Sequence, residues 1–330
     1  MKTALLVYWG ILSGTGKDVR IVSRILEESG YCVRRLPTLR REDHLERVGH
    51  FLKQAHRLFF PYPLQVHLEQ IHREQFRLGS QNVVFINPEW TDDTVFRKMK
   101  QMPWILCKTR HGEELCHGLG STVRYVGFTS EDLFDSVVEK DYRLFLHVAG
   151  RSAYKGTRAL HNVWSRNPRW PKLHILRARI NHYGEEEEKL VSLPNVEVHE
   201  DWMADEDFRT LSNQCGVHLC PSEMEGFGHT LMEGMSTGAI IVATDGSPMN
   251  ELVRPERGFL VEAEETGRNF MSPRYTVKEE ALERTITEIL EKPVQECRDL
   301  GRAARCYYEA NDAAFRNRMQ KLLEEIRPCL

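Results

Sequence analysis

The chain has 330 residues, 41% hydrophobic and 28% charged, with a formal net charge of −3. This length exceeds one ordinary core and predicts two domains of about 150 residues. The near-neutral balance excludes a dedicated nucleic-acid binder, and no apolar run approaches the ~18–20 residues that span a bilayer. The charge is uneven: residues 31–80 carry nine basic and five acidic side chains and five histidines, a basic bias that suits an anionic partner.

In chain order, Thr3–Trp9 reads as a strand. The N-terminal run MKTALLVYWG is too short, and lacks the small-residue cleavage site, for a signal peptide. Asp18–Ser29 follows as a helix and Tyr31–Leu36 as a strand. Leu45, Val48, Leu52 and Ala55 share one helical face with Arg and His opposite. Strands are expected at Gln65–Leu68, Val83–Ile86, Trp104–Cys107 and Thr122–Val126. Residues 128–142 are polar and acidic and mark a domain junction. The alternation then resumes with a strand at Leu144–Ala149, a helix at Thr157–Trp164, strands at Leu173–Leu176 and Val196–His199, and a helix at Asp205–Ser212. Cys215–Pro221 and Ala239–Thr244 flank a further turn and helix. Gly258–Glu262 is a last strand, Val277–Leu290 a helix and Ala313–Ile326 the final helix. Strands separated by helices imply βαβ units and parallel sheets.

The eight cysteines stand singly, as expected in a reducing compartment, and Cys107, His111, Cys116 and His117 match no common zinc spacing. Gly10–Lys17 (GILSGTGK) misses the phosphate-loop count, with Asp18 where a magnesium-binding hydroxyl belongs. Asp205–Asp207 (DED) opens a helix, where acidic side chains favour the positive end. His147 and His218 lie in apolar strands and read as core histidines.

The most informative segment is Glu225–Glu233, EGFGHTLME. It sits in a strand–glycine turn–helix–strand unit, where glycines admit a ligand to the backbone and the helix start offers N–H groups to anionic oxygens. Two carboxylates eight positions apart address different ends of one long ligand only if the first lies in the turn. A nucleotide sugar is such a ligand.

This segment resembles the E-x7-E region of retaining GT-B glycosyltransferases of group 1, family 4 type. The resemblance implies two doubly wound Rossmann-like α/β domains facing across a cleft. Their expected extents are 1–138 on the acceptor side and 139–305 for the nucleotide sugar, with 306–330 a C-terminal helix returning to the N-terminal domain. It implies that Glu225 faces the donor sugar, that Glu233 binds ribose, and that Gly226, Phe227, Gly228, His229 and Thr230 line the diphosphate. Gly150–Gly156 (GRSAYKG) resembles the family's cationic loop, so Arg151 and Lys155 are the expected phosphate-neutralising pair, four positions apart where the family often has five or six. Ser13, Gly14 and Thr15 resemble the glycine-rich turn after the first strand, which in that family approaches the donor phosphate and the acceptor, so they are expected donor contacts. Asn87–Trp90 (NPEW) resembles the family's His-Glu-Pro segment with Asn in place of His. Glu69, Asn87, Glu89 and Arg110 are candidates on the acceptor side.

The implied reaction moves a sugar from a nucleotide-sugar donor to a hydroxyl acceptor with retention, with no metal or other cofactor, in the cytoplasm. The alternatives are a catalytically silent scaffold of the same fold, which binds a nucleotide sugar or a partner, and a nucleotide-sugar epimerase. The acceptor stays open among a glycan, a lipid-linked glycan and modified DNA, and no obligate protein partner is evident. The basic stretch around residues 34–58 reads first as a solvated face, with a membrane-surface contact and a DNA contact as the alternatives.

Overall fold

The computed structural model describes residues 2–9, 14–38, 60–71, 73–200 and 203–326. Ser13 and the basic helix expected around Leu45–Leu58 lie outside them. The chain forms two compact units. One comprises Met1–Thr129 with Asp312–Leu330, and the other Ser130–Asn311.

The first unit is built on a parallel sheet of six strands: β1 (Lys2–Trp9), β2 (Tyr31–Thr38), β3 (Tyr62–Leu68), β4 (Gly79–Ile86), β5 (Trp104–Cys107) and β6 (Thr122–Tyr125). Their spatial order is β2-β1-β3-β4-β5-β6. Ala4–Tyr8 of β1 are all buried. Such a continuous apolar run is what a central parallel strand covered on both faces requires. Helix α1 (Gly14–Glu28) returns from β1 and buries Val19, Val22, Ile25 and Leu26, one helical face. Two short helices, α2 (Asp93–Met99) and α3 (Arg110–Leu115), follow β4 and β5. Each is capped by a side chain: Asp92 accepts from the Val95 N–H and Thr109 from the Gly112 N–H.

The second unit holds β7 (Asp141–Gly150), β8 (Leu173–Arg177), β9 (Val196–His199), β10 (Cys215–Cys220), β11 (Ile240–Thr244) and β12 (Gly258–Val261). They pair in parallel in the order β12-β11-β10-β7-β8-β9. Counted from β7 this is 3-2-1-4-5-6, the doubly wound dinucleotide-binding order. Helices α4 (Thr157–Arg166), α5 (Asp205–Gln214), α6 (His229–Ser236), α7 (Met249–Leu252) and α8 (Glu279–Glu291) connect the strands or follow them. The core centres on Trp164, fully buried, with Phe145 at 5.3 Å and Trp170 at 5.1 Å between ring centroids. A hairpin, β13 (Ala263–Asn269) with β14 (Ser272–Val277), precedes α8.

The last helix, α9, runs unbroken over 32 residues, Val294–Glu325, and so starts well before the expected Ala313. Its buried stripe of Cys297, Ala304, Tyr308, Phe315, Met319 and Leu322 keeps seven- and three- to four-residue spacings throughout. The small residues and polar surroundings of its first half hide that stripe from a hydropathy reading. From Asp312 onward α9 belongs to the first unit: Arg318 donates to the Val126 carbonyl at 2.7 Å, and Phe315 packs on Phe128 at 5.1 Å. Among the described residues no helix is long and apolar enough to cross a membrane.

Candidate active site

In a doubly wound sheet, ligands bind beyond the carboxyl ends of the strands where the strand order reverses. In the second unit that point lies between β7 and β10. The loop after β7 carries Arg151 and Lys155, and the loop after β10 carries Glu225. The two loops meet there: Lys155 Nζ and Glu225 Oε1 form an ion pair, at side-chain exposures of 15% and 10%.

Backbone chemistry explains how they come so close. Gly156, at φ +72°, caps α4 immediately after Lys155. A Cβ built on it would stand 2.2 Å from the Pro221 carbonyl oxygen, so only glycine lets the post-β7 loop lie against the post-β10 loop. The Tyr154 carbonyl accepts from the Glu223 N–H at 2.8 Å, a second stitch between the loops. The hairpin adds a third: Tyr275 N–H donates to the Glu223 carbonyl at 2.8 Å, and Arg274 binds the Glu223 carboxylate at 2.5 Å. Arg151 is exposed and donates to the Asn181 carbonyl at 3.2 Å.

Glu225 lies in the turn before α6, and Glu233 lies inside that helix, buried to 4% exposure. Gly228, at φ +108°, begins α6 without a capping side chain, and the first N–H groups of a helix have no partner within it. The buried Thr230 hydroxyl sits beside the Cys220 sulfur and meets no oxygen or nitrogen partner among the described residues. Buried Phe227 stacks edge-on against His229 at 5.6 Å, and the His229 Nδ1 faces Ser130 Oγ at 2.8 Å. The turn thus gathers Gly226, Phe227, Gly228, His229 and Thr230 around one helix start. Asp205–Asp207 occupy the first turn of α5, as acidic residues at a helix start should.

His147 and His218 are structural. His147 bonds the Leu219 carbonyl at 2.8 Å and Thr157 Oγ1 at 2.9 Å, and His218 the Ser212 carbonyl at 3.0 Å. Burial pushes them down to about 4 and about 3, so both stay neutral at pH 7.

The first unit reverses strand order between β1 and β3, and a polar cluster stands at the carboxyl ends there. Gly14 opens α1, and Thr15 Oγ1 donates to Glu69 Oε2 at 3.3 Å. Asn87, just after β4, donates to Glu69 Oε1 at 2.5 Å. Glu69 follows β3 in the left-handed region, at φ +64°, a conformation a non-glycine residue holds only when its surroundings enforce it. Enclosure of its carboxyl raises the Glu69 pKa to about 7, against the opposing pull of the Lys108 cation. Lys108 itself forms a deeply buried ion pair with Asp18. Its position after β5 was legible in the sequence, whereas its partnership with Asp18 was not. Glu89 is buried in the short 3-10 turn Pro88–Trp90. Arg110 opens α3 with an exposed side chain, paired with Glu113 at 2.7 Å and stacked over Tyr125 at 3.9 Å.

Comparison with known proteins gives this geometry a context. No curated protein sequence matches the chain. Solved structures do match its fold. Sucrose-phosphate synthase from Thermosynechococcus elongatus superposes with a TM-score of 0.75 at 17% identity, over 98% of this chain and 99% of that one. Anabaena HepE in complex with UDP and glucose gives 0.70 at 13%, over 98% and 100%. An alpha,alpha-trehalose-phosphate synthase (UDP-forming) from Burkholderia vietnamiensis gives 0.63 at 10%, over 98% and 100%. At these identities the likeness is one of fold, and the fold is GT-B. Residues 128–306, more than half of the chain and nearly the whole second unit, match the family model of glycosyl transferases group 1, and the chain belongs to that family.

Proposed function

We propose that this protein is a retaining glycosyltransferase that moves a sugar from a nucleotide-sugar donor to a hydroxyl acceptor. The observation that carries this reading is the Lys155–Glu225 pair, held between the loops after β7 and β10 where the strand order reverses. A diphosphate leaving group accumulates negative charge as the glycosidic bond breaks, and preorganised cations and N–H dipoles stabilise it. Lys155 and Arg151 supply the cations and the start of α6 the N–H groups. With charge supplied this way, the reaction is assigned no metal, and a chelator should leave turnover unchanged. Glu225 positions the sugar, and Glu233, buried about one turn into α6, takes the ribose hydroxyls. In the absence of donor, Glu225 neutralises Lys155; donor phosphate replaces that partner and leaves Glu225 to the sugar. Front-face attack, with the leaving phosphate accepting the acceptor proton, gives retention without a protein nucleophile. Acceptor recognition is assigned to Glu69, Asn87 and Glu89 of the first unit.

Thermal denaturation with UDP, GDP, ADP and their sugar conjugates, with chelator present, tests donor binding. At 100 times its dissociation constant a ligand adds about 2.7 kcal/mol of stability. One nucleotide family should stabilise wild type, and Glu233→Ala and Lys155→Ala should lose most of that shift. Absence of any nucleotide effect on wild type would sink the transferase reading and favour a silent scaffold. NMR of the anomeric centre of the product tests retention, and release of an isomerised sugar nucleotide would instead identify an epimerase.

A further inference from the structure

Among the described residues one group of three metal-ligating side chains converges away from the strand-order reversal: His174 on β8 with Glu197 and His199 on β9. β9 is the edge strand, paired only with β8. The parallel register sets His174 opposite Glu197 and Leu176 opposite His199. Residues two apart on a strand share a face, so His199 projects on the same side as Glu197 and His174. The opposite side of β8 carries Leu173 and Ile175 into the core.

The three ligand atoms are already near the spacing a cation needs. His174 Nδ1 and His199 Nε2 stand 3.2 Å apart. Glu197 Oε2 lies 3.8 Å from the first, and its Oε1 lies 3.6 Å from the second. A tetrahedral zinc ion with bonds of about 2.0–2.1 Å sets its ligand atoms roughly 3.3 Å apart. The imidazole rings stack at 5.5 Å with 27° between planes, and one ligand atom from each of the three side chains lies within 4.8 Å of the others. The side chains are 12%, 46% and 25% exposed for His174, Glu197 and His199, a graded opening that leaves one side to water as the fourth ligand. The present competitors are the hydrogen bond between the two imidazole nitrogens and Lys172, whose ammonium bonds Glu197 Oε2 at 3.0 Å.

We propose that His174, Glu197 and His199 form a binding site for a divalent transition-metal cation of the zinc class, which clips the edge strand β9 to β8. Two imidazoles and one carboxylate suit zinc, nickel or copper; magnesium and calcium, which demand oxygen ligands, do not fit. The site lies on the strands themselves, not on the loops that carry Lys155 and Glu225, so its occupancy is independent of the proposed transfer reaction.

The test is calorimetric titration of zinc chloride into the full chain, chelator-treated and free of any histidine tag. Wild type should bind one equivalent and rise in melting temperature, with no response to magnesium. Loss of even an outer partner of a metal ligand costs about 10–100-fold in affinity. His174→Gln/His199→Gln should therefore abolish binding, and Glu197→Gln, a near-isosteric change at a half-exposed position, should weaken it at least about tenfold. Cobalt substitution should give the visible absorption of a tetrahedral ion in wild type only. Melting without metal shows whether each variant is folded. The proposal is overturned if folded wild type takes up no zinc below roughly millimolar concentration, or if the double variant or Glu197→Gln binds as tightly as wild type.

Discussion

Glu69 joins a left-handed backbone to a carboxyl held between a hydroxyl and an amide. Its raised pKa makes a direct prediction. A group whose folded-state pKa lies above its unfolded value favours the fold while protonated. For Glu69 that contribution is complete below about 4.5 and is lost as pH rises through about 7. Glu69→Gln should remove this dependence, so that the mutant melts above wild type at pH 8 and the two converge at pH 4.5; scanning calorimetry across that range checks it. Glu69 was visible in the sequence as a polar residue at a strand end. Its strained φ and its neighbours Thr15 and Asn87 were not, because they come from three separate segments of the chain. The same holds for Lys155 and Glu225. Each was recognisable from its local loop, yet their pairing depends on Gly156 lying against Pro221.

Among the elements, those buried on both faces were the easiest to read. Cys215–Cys220 and Ile240–Thr244 are continuous apolar runs because parallel central strands have no wet face. The helices Asp93–Met99 and Arg110–Leu115 escaped notice because two turns or fewer show no period, and they rest on caps more than on an apolar stripe. The hairpin β13–β14 escaped because its first strand, AEETGRN, is polar and largely exposed. It is held by its partner strand, by Glu223 and by its Ala263–Val277 end, which packs on the core. The metal-ligand group shows a further limit: E-x-H in one strand and a lone His in another carry no joint signature until the register aligns them. Packing of α4 on the sheet is expected to rest on Trp164. Trp164→Ala should cost about 3–5 kcal/mol, read as a lowered urea midpoint. Trp164→Phe keeps most of the volume and loses the indole bond to the Pro171 carbonyl, so it should cost closer to 1 kcal/mol.

At the scale of the whole molecule, the division into two parallel-sheet units follows from length and from the repeated alternation of strand and helix. The two places where the chain passes between units, Thr129–Ser130 and Asn311–Asp312, do not coincide with any glycine- or proline-rich linker. The second passage falls inside α9, where no compositional break could mark it. The neutral core histidines shape the acid response of the second unit. Because the pKa values of His147 and His218 are depressed by burial, their contribution is complete above about 6.5 and is lost as pH falls toward 4 and 3. Urea midpoints should accordingly drop below pH 6.5, and His147→Gln, which keeps a polar side chain, should shallow the drop. The unbroken α9 has a consequence for biosynthesis. The ribosome delivers the six strands of the first unit early, but the segment that supplies Phe315 to Phe128 and Arg318 to Val126 emerges only after the entire second unit has been made. Domains tend to fold in the order in which they are synthesised. Here the first unit must wait for residues made after the second, so a chain truncated after residue 311 should hold a finished second unit and an unfinished first.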